Sequence, residues 1–307
     1  MFNPKPKNNI DQEKIQEIKA RKRFDKSLLN DNTISKFSFV KKPELKVIST
    51  VRHPLPKPEP KHTNVVFMPQ TPRYFSGKNG TFKHSGDIGD LVYSLPVLRS
   101  FGGGTLYLNP NGLPTRKGDG TRSGFDYNQI EFLSSLLKEQ FYIKNVLPWH
   151  GEKVDIDIDY FRTPGNDVFN LCEKILSAFG VSFSETNTPW ITCDEKNIAK
   201  CVIARSFRYR NPKMNYTQFL EQFGDQAVFV GLSDEHEDFE KKFGKIRFYQ
   251  VSSFLEMAQI INGSELFVGN QSSPMALAIA MHRPFIQECF PSHADCVFDF
   301  QNARYFK

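Results

Sequence analysis

The sequence has few cysteines and no long hydrophobic run. Only five of its 307 residues are cysteine, and they are scattered along the chain rather than closely paired. Such spacing excludes a disulfide framework and a zinc ribbon. No apolar stretch reaches the ~18 residues that a membrane-spanning helix requires, and the first residues lack the apolar centre of a secretory signal. We therefore expect a cytoplasmic protein without a membrane span.

Short internal repeats are also missing, which excludes a solenoid. What the sequence does contain is the composition of a soluble globular protein, with 39% hydrophobic and 24% charged residues. A chain of 307 residues is long enough for one large domain or two of ordinary size. In either case it buries a substantial core.

Positive charge is concentrated at the N-terminus. Residues 1–61 contain fifteen Lys or Arg against seven Asp or Glu, a net charge of +8, which leaves −2 for the rest of a chain whose total is +6. Residues 41–61 include five prolines and few apolar residues, a composition typical of an extended linker. We interpret residues 1–62 as an N-terminal arm and linker. The arm is either a solvated appendage or a basic segment that binds an anionic partner such as nucleic acid.

From residue 63 onward, short β-rich runs alternate with helical patterns. The predicted strands are 64–68, 105–109, 154–158, 201–204, 227–231, 247–250, 266–268 and 284–287. The predicted helices are 91–101, 128–139, 168–179, 216–223, 234–243, 253–262 and 274–281. This alternation predicts an α/β fold with parallel sheets, in which ligands bind outside the carboxyl ends of the strands. A polar stretch at 185–189 separates two such series, so we expect two Rossmann-like lobes, residues 63–187 and 188–307, with a cleft between them.

The first candidate site is a turn with two Gly-Asp pairs, Gly86-Asp87 and Gly89-Asp90, directly before an apolar helical run. The glycines permit a tight turn into a helix that we expect to begin near Leu91. The two carboxylates make the turn a poor phosphate cradle, although a helix N-terminus attracts anions. Asp90 is either the N-cap of the helix or a base that takes a proton from an incoming hydroxyl. Asp87 is predicted to shape or cap the turn.

The second candidate site follows the predicted strand 266–268. Its turn supplies amides, hydroxyls and free N–H groups at a helix start, with Pro274 in the first turn. This set is suited to bind a diphosphate, while the alternative is an ordinary capped turn. The turn consists of Gly269, Asn270, Gln271, Ser272 and Ser273.

A third candidate site follows the predicted strand 201–204, where the loop 205–213 carries four cations. Arg205 is nearest the strand, with Ser206 beside it, so these two are the predicted phosphate contacts. Arg208, Arg210 and Lys213 are either further contacts or solvated side chains.

Two of these motifs resemble one enzyme family. The stretch GDIGDLVYSLPVLRSF is similar to the N-terminal motif of the bacterial heptosyltransferases that build the lipopolysaccharide inner core. The stretch SELFVGNQSSPMALAIAMHRP, which begins at Ser264, is similar to the nucleotide-sugar motif of their C-terminal lobe. The resemblance covers about residues 80–290. It implies a GT-B fold, a nucleotide-diphosphate sugar as co-substrate with no separate cofactor, and metal-independent inverting transfer to a glycan or other hydroxyl acceptor. It further implies that Asp90 is the base and that the loop after strand 201–204 contacts the donor phosphates.

The sequence departs from the family motif at two positions. Asn270 stands where the family has an acidic residue that contacts the donor sugar, and Ser273 replaces a glycine. Two alternatives therefore remain beside a glycosyltransferase of the family type. One is a non-catalytic binding or structural protein on the same fold. The other is a glycosyltransferase that modifies nucleic-acid bases and holds the phosphate backbone with residues 1–61.

Overall fold

Strands and helices alternate through most of the chain in a computed structural model, which describes residues 74–114, 121–122, 124–162, 170–290, 297 and 303–306. These residues belong to one structural unit of the chain, 72–307. The arm 1–62 and the predicted strand 64–68 lie outside the described residues.

The first half of the unit forms what we call the N-terminal sheet, in the parallel order β5-β2-β1-β6. Its β1 and β2 neighbour each other in register, with Gly80 opposite Gly104 and His84 opposite Leu108. A short antiparallel pair, β3 and β4, follows β2. The elements are β1 (Gly80–His84), α1 (Ile88–Ser100), β2 (Gly104–Leu108), β3 (Leu113–Pro114), β4 (Thr121–Arg122), α2 (Tyr127–Leu137), β5 (Ile143–Pro148), β6 (Ile156–Asp157) and α3 (Leu171–Ala178).

The second half forms the C-terminal sheet, whose six described strands are all parallel in the order β12-β11-β10-β7-β8-β9. Because the strands are parallel, the loops that follow them share one edge of the sheet. The elements are β7 (Cys201–Ala204), α4 (Thr217–Phe223), β8 (Ala227–Val230), α5 (Ser233–Phe243), β9 (Arg247–Tyr249), α6 (Phe254–Asn262), β10 (Leu266–Asn270), α7 (Ser273–Ala280), β11 (Phe285–Glu288) and β12 (Ala303–Phe306).

Helix α1 lies at the centre of the unit and joins the two halves. Its residues from Leu91 to Leu98 are all buried, as expected of a helix that is apolar on every side. It packs against α3 and α7, and α7 is itself buried along nearly its whole length, while α2 packs against α6. The two sheets are therefore connected by helices that share one apolar core.

A proline inside α1 explains one link between the halves. Pro96 has no N–H group to donate to the carbonyl of Val92, one turn earlier. The buried indole of Trp190 donates to that carbonyl instead, at 2.9 Å. Trp190 belongs to the segment between the two sheets, so the hydrogen bond that the helix lacks fastens this segment to α1.

The structure confirms every predicted helix and the predicted strands from residue 105 onward, within a few residues at each end. Sequence reasoning missed three strands of the two sheets: β1, β5 and β12. Among the described helices, none combines the length and the apolar character needed to cross a membrane.

Candidate functional site

The turn between β1 and α1 has an unusual backbone. Gly86 has φ of 138°, and Asp87 has φ of 55°, which few residues other than glycine adopt. Helix α1 begins at Ile88, so Asp87 holds the N-cap position and makes no side-chain capping hydrogen bond. The alternative that Asp90 is the N-cap is therefore wrong, and so is the expectation that Asp87 caps with its side chain. Asp90 lies in the first turn of α1.

An arginine from another strand end fixes Asp90. The guanidinium of Arg162 donates from Nη1 to Asp90 Oδ2 at 2.5 Å and from Nη2 to the Gly86 carbonyl at 2.9 Å. Its Nε lies 3.5 Å from Asp159 Oδ1. Asp159 Oδ1 also accepts the backbone N–H of Ser85, at 3.1 Å. Arg162 thus ties the turn and α1 to the chain that follows β6.

A buried lysine continues this charged network. Lys83 Nζ lies 2.7 Å from Asp157 Oδ2 and 3.6 Å from Asp159 Oδ2, above the ring of Trp149. Burial raises the pKa of Asp157, although the ammonium group of Lys83 acts in the opposite direction. Sequence reasoning missed Lys83, Asp159 and Arg162. The signal was the charged stretch at the end of the predicted strand 154–158, which meets the turn only when the sheet is formed.

One side chain of the C-terminal sheet connects the turn before α7 to the basic loop after β7. Asn270 is fully buried, and its Oδ1 accepts the backbone N–H of Ser206 at 3.0 Å. Its Nδ2 donates to the carbonyls of Ser206 and Arg208. Asn270 therefore fixes the path of the loop after β7, a role in which its amide supplies both the acceptor and the donors.

Arg205 lies in the protein interior rather than in the loop's exposed face. Its side chain is 5% exposed and donates from Nε and Nη2 to the two carboxylate oxygens of Glu288, both at 2.8 Å. Glu288 also accepts from the backbone N–H of Asn211 and from the Tyr216 hydroxyl. Burial and the Glu288 carboxylate raise the pKa of Tyr216 well above its usual range. The two N–H groups of Arg205 that a phosphate would need are thus held by a carboxylate.

The other arginines of the loop differ in how tightly they are bound by neighbouring groups. Arg210 donates to Asp238 at 2.6 Å and to the Ser206 carbonyl at 2.7 Å. Arg208 has a side chain that is 67% exposed, and its Nη1 lies 3.9 Å from Asp87 Oδ1. This ion pair places the turn of the N-terminal sheet opposite the basic loop of the C-terminal sheet.

Some polar side chains of the turn before α7 are hydrogen-bonded within the protein. Gly269 lies so close to the neighbouring strand that an added Cβ would be 2.6 Å from the Ala204 carbonyl. Gln271 Oε1 accepts the backbone N–H of Phe290, and Ser272 Oγ donates to the Asn270 carbonyl. Ser273 is the first residue of α7. Nowhere in the described chain do three His, Cys, Asp or Glu side chains come together as metal ligands.

Two Rossmann-like parallel sheets with facing carboxyl-end loops define the GT-B class of fold, and this chain has that fold. Among solved structures, it is similar to a glycosyl transferase of family 9 from Veillonella parvula, with 13% identity, 77% of this chain and 88% of that chain covered, and a TM-score of 0.53. It is also similar to ADP-heptose lps heptosyltransferase II of E. coli, with 13% identity, 74% and 90% covered, and a TM-score of 0.49. No family model and no curated protein matches the sequence. At such identity, the similarity to the Veillonella structure establishes the fold.

Proposed function

We propose that the protein is a glycosyltransferase that moves a sugar from a nucleotide-diphosphate donor to an acceptor hydroxyl. The observation that carries the proposal is the approach of Asp87 to Arg208, 3.9 Å, since it brings the turn with Asp90 opposite the basic loop. Parallel sheets bind ligands at this edge. The family 9 fold of the Veillonella structure supports the same assignment.

The donor diphosphate binds, in this proposal, at the start of α7 and beneath the basic loop. The backbone N–H groups at the first turn of α7 and the hydroxyl of Ser273 are suited to bind an anion, because a helix N-terminus carries partial positive charge. The hydroxyl of Ser272 already donates to the Asn270 carbonyl. The exposed Arg208 and Lys213 add full charges. Arg205, which sequence reasoning favoured as the phosphate contact, acts through its ion pair with Glu288 to hold the loop in place.

Asp90 acts as the general base. As the acceptor oxygen attacks the anomeric carbon of the donor, its proton passes to the Asp90 carboxylate, and the bond from that carbon to the diphosphate oxygen breaks. The electron pair leaves with the nucleoside diphosphate, so the configuration at the anomeric carbon inverts. Cations and helix N–H groups offset the charge that builds on the leaving diphosphate, and no metal ion enters this scheme.

Open space beside Asp90 supports this use of the turn. Gly89 lies inside helix α1, and outside that helix an added Cβ would meet no atom of the described residues within 4 Å. Among the described residues, this position therefore leaves room for an acceptor to approach the Asp90 carboxylate. Arg162 holds that carboxylate in one orientation.

A non-catalytic binding protein is the second candidate, because Asn270 replaces the acidic residue of the resembled family and is committed to the loop. Such a protein would bind the same nucleotide without turnover. The third alternative, an acceptor in nucleic acid held by residues 1–61, depends on residues outside the described part of the chain.

Calorimetry with ADP, UDP, GDP and CDP tests the donor assignment. We expect one of them to bind, and we expect Arg208→Gln to weaken it by tenfold or more, the effect of losing one charge-assisted hydrogen bond. Arg247→Gln is the matched control, because Arg247 is an exposed arginine at the opposite edge of the same sheet. Absence of binding by all four nucleotides, or equal losses in the two variants, would remove the donor site from this position.

A further inference from the structure

One ion pair crosses between the two sheets at the proposed donor site. Asp87 Oδ1 and Arg208 Nη1 are 3.9 Å apart, and the side chains are 29% and 67% exposed. The carboxylate belongs to the turn that carries Asp90, and the guanidinium belongs to the loop after β7. The two groups therefore join the proposed base and the proposed donor loop without belonging to either sheet's core.

The pair is loose in a loop whose other arginines are held firmly. Arg205 binds Glu288 at 2.8 Å in the interior, and Arg210 binds Asp238 at 2.6 Å. An exposed ion pair near 4 Å is worth about 1 kcal/mol or less. A diphosphate carries more charge than one carboxylate and accepts stronger hydrogen bonds. Of the three arginines in this loop, Arg208 is therefore the one whose ion pair costs the least free energy to break when an anion binds.

The backbone of Asp87 brings its carboxylate to this position. With φ of 55° and no capping hydrogen bond, the residue does not serve the helix in the way an N-cap aspartate usually does. Strained backbone angles in residues other than glycine cluster at functional sites. The ion pair with Arg208 is the contact of the Asp87 carboxylate that bears on the proposed donor site.

We propose that Asp87 sets the affinity for the donor, because its carboxylate competes with the donor diphosphate for Arg208. This inference rests on the proposed donor site. In the empty protein Asp87 pairs with Arg208, and on binding the diphosphate takes over the guanidinium. Asp87 then faces an anion, which opposes tight retention of the nucleoside diphosphate after transfer. Asp87 is a residue that controls affinity and is not a catalytic residue.

Three variants test the competition by calorimetry with the nucleoside diphosphate that binds the wild-type protein. Asp87→Asn removes the charge and keeps the shape, since asparagine tolerates the same positive φ. Arg208→Gln removes the contested cation. Glu139→Gln is the matched control for net charge, because Glu139 is exposed after the C-terminal end of α2, at the edge of the N-terminal sheet away from the turn.

We expect Asp87→Asn to bind the nucleotide about two- to fivefold more tightly than wild type at low salt, with a smaller gain at high salt. Glu139→Gln should bind like wild type. In the Arg208→Gln background, Asp87→Asn should add no more than Glu139→Gln does, because the contested group is gone.

Unchanged or weaker binding by Asp87→Asn, with normal wild-type binding, overturns the competition and leaves the donor site standing. An equal gain with and without Arg208 overturns it as well, since Asp87 would then act by general repulsion. If no nucleoside diphosphate binds the wild-type protein, the donor site and this inference fail together.

Discussion

Removal of the buried carboxylate of Glu288 should destabilise the protein strongly. Glu288 is fully buried and accepts four hydrogen bonds, two of them from the Arg205 guanidinium at 2.8 Å. Glu288→Gln keeps the volume but leaves the charge of Arg205 without a counter-charge in the interior. Breaking a buried pair in this way costs about 3–5 kcal/mol of the free energy of unfolding. For a unit of this size that corresponds to a fall in melting temperature of about 6–20 °C.

Urea denaturation and calorimetry measure this effect, and Asp238→Asn is the control. Asp238 also pairs with an arginine of the same loop, at 2.6 Å, but its side chain is 26% exposed. We expect that variant to lose about 1 kcal/mol or less. If Glu288→Gln is as stable as the control, Arg205 is not held as a buried ion pair. The argument that Arg205 does not contact the donor phosphates would then fail.

Three further variants test other parts of the structure. Gly89→Ala should melt at the same temperature or higher, because alanine favours a helix by up to about 1 kcal/mol, yet consume donor more slowly if the acceptor approaches there; normal turnover would show that the space is not used. Trp190→Phe should lose about 1–3 kcal/mol in urea denaturation, since the Val92 carbonyl loses its donor and Pro96 cannot replace it; an unchanged midpoint would contradict that role. The hydrogen bond from Lys196 and, to a smaller extent, those from Ser252 lower the pKa of Glu256 from 4.5 to about 2. Glu256 therefore stabilises the fold above pH 4.5, and this contribution is lost as the pH falls toward 2. The free energy of unfolding of Glu256→Gln should therefore differ from that of wild type most at neutral pH. A difference that stays constant down to pH 2 would refute the pKa shift.

The helices were predictable because their signals are local. Several combine an apolar face with a polar start or end, as in α2, where Asp126 and Gln129 form a capping box. The strand β1 was missed because it contains Lys83 and His84 near its end, which do not fit a buried strand. Lys83 is stabilised there by Asp157, 74 residues away. Only the assembled sheet brings that partner to it.

The candidate site was predictable in its position but not in its orientation. The ends of β7 and β10 followed from the alternation of strands and helices, and the two Gly-Asp pairs marked the turn before α1 although β1 itself was missed. Which cation of the loop 205–213 faces the opposite sheet depended on Glu288, 83 residues from Arg205. Proximity to the strand favoured Arg205, and the buried carboxylate reversed that order. Arg162 likewise meets Asp90 across 72 residues, with no pattern along the chain to link them.

Sugar transfer by the Asp90→Asn variant tests the central claim most directly. Once calorimetry has identified the nucleotide, release of the nucleoside diphosphate from its sugar derivative is followed with wild type and variant in the presence of candidate hydroxyl acceptors. We expect the variant to bind the nucleotide as wild type does, to stay folded, and to transfer sugar ~10²–10⁴-fold more slowly, because a general base contributes a factor of that size. Equal transfer rates in a folded variant would contradict the account, since Asp90 would then be only a partner of Arg162 in the turn.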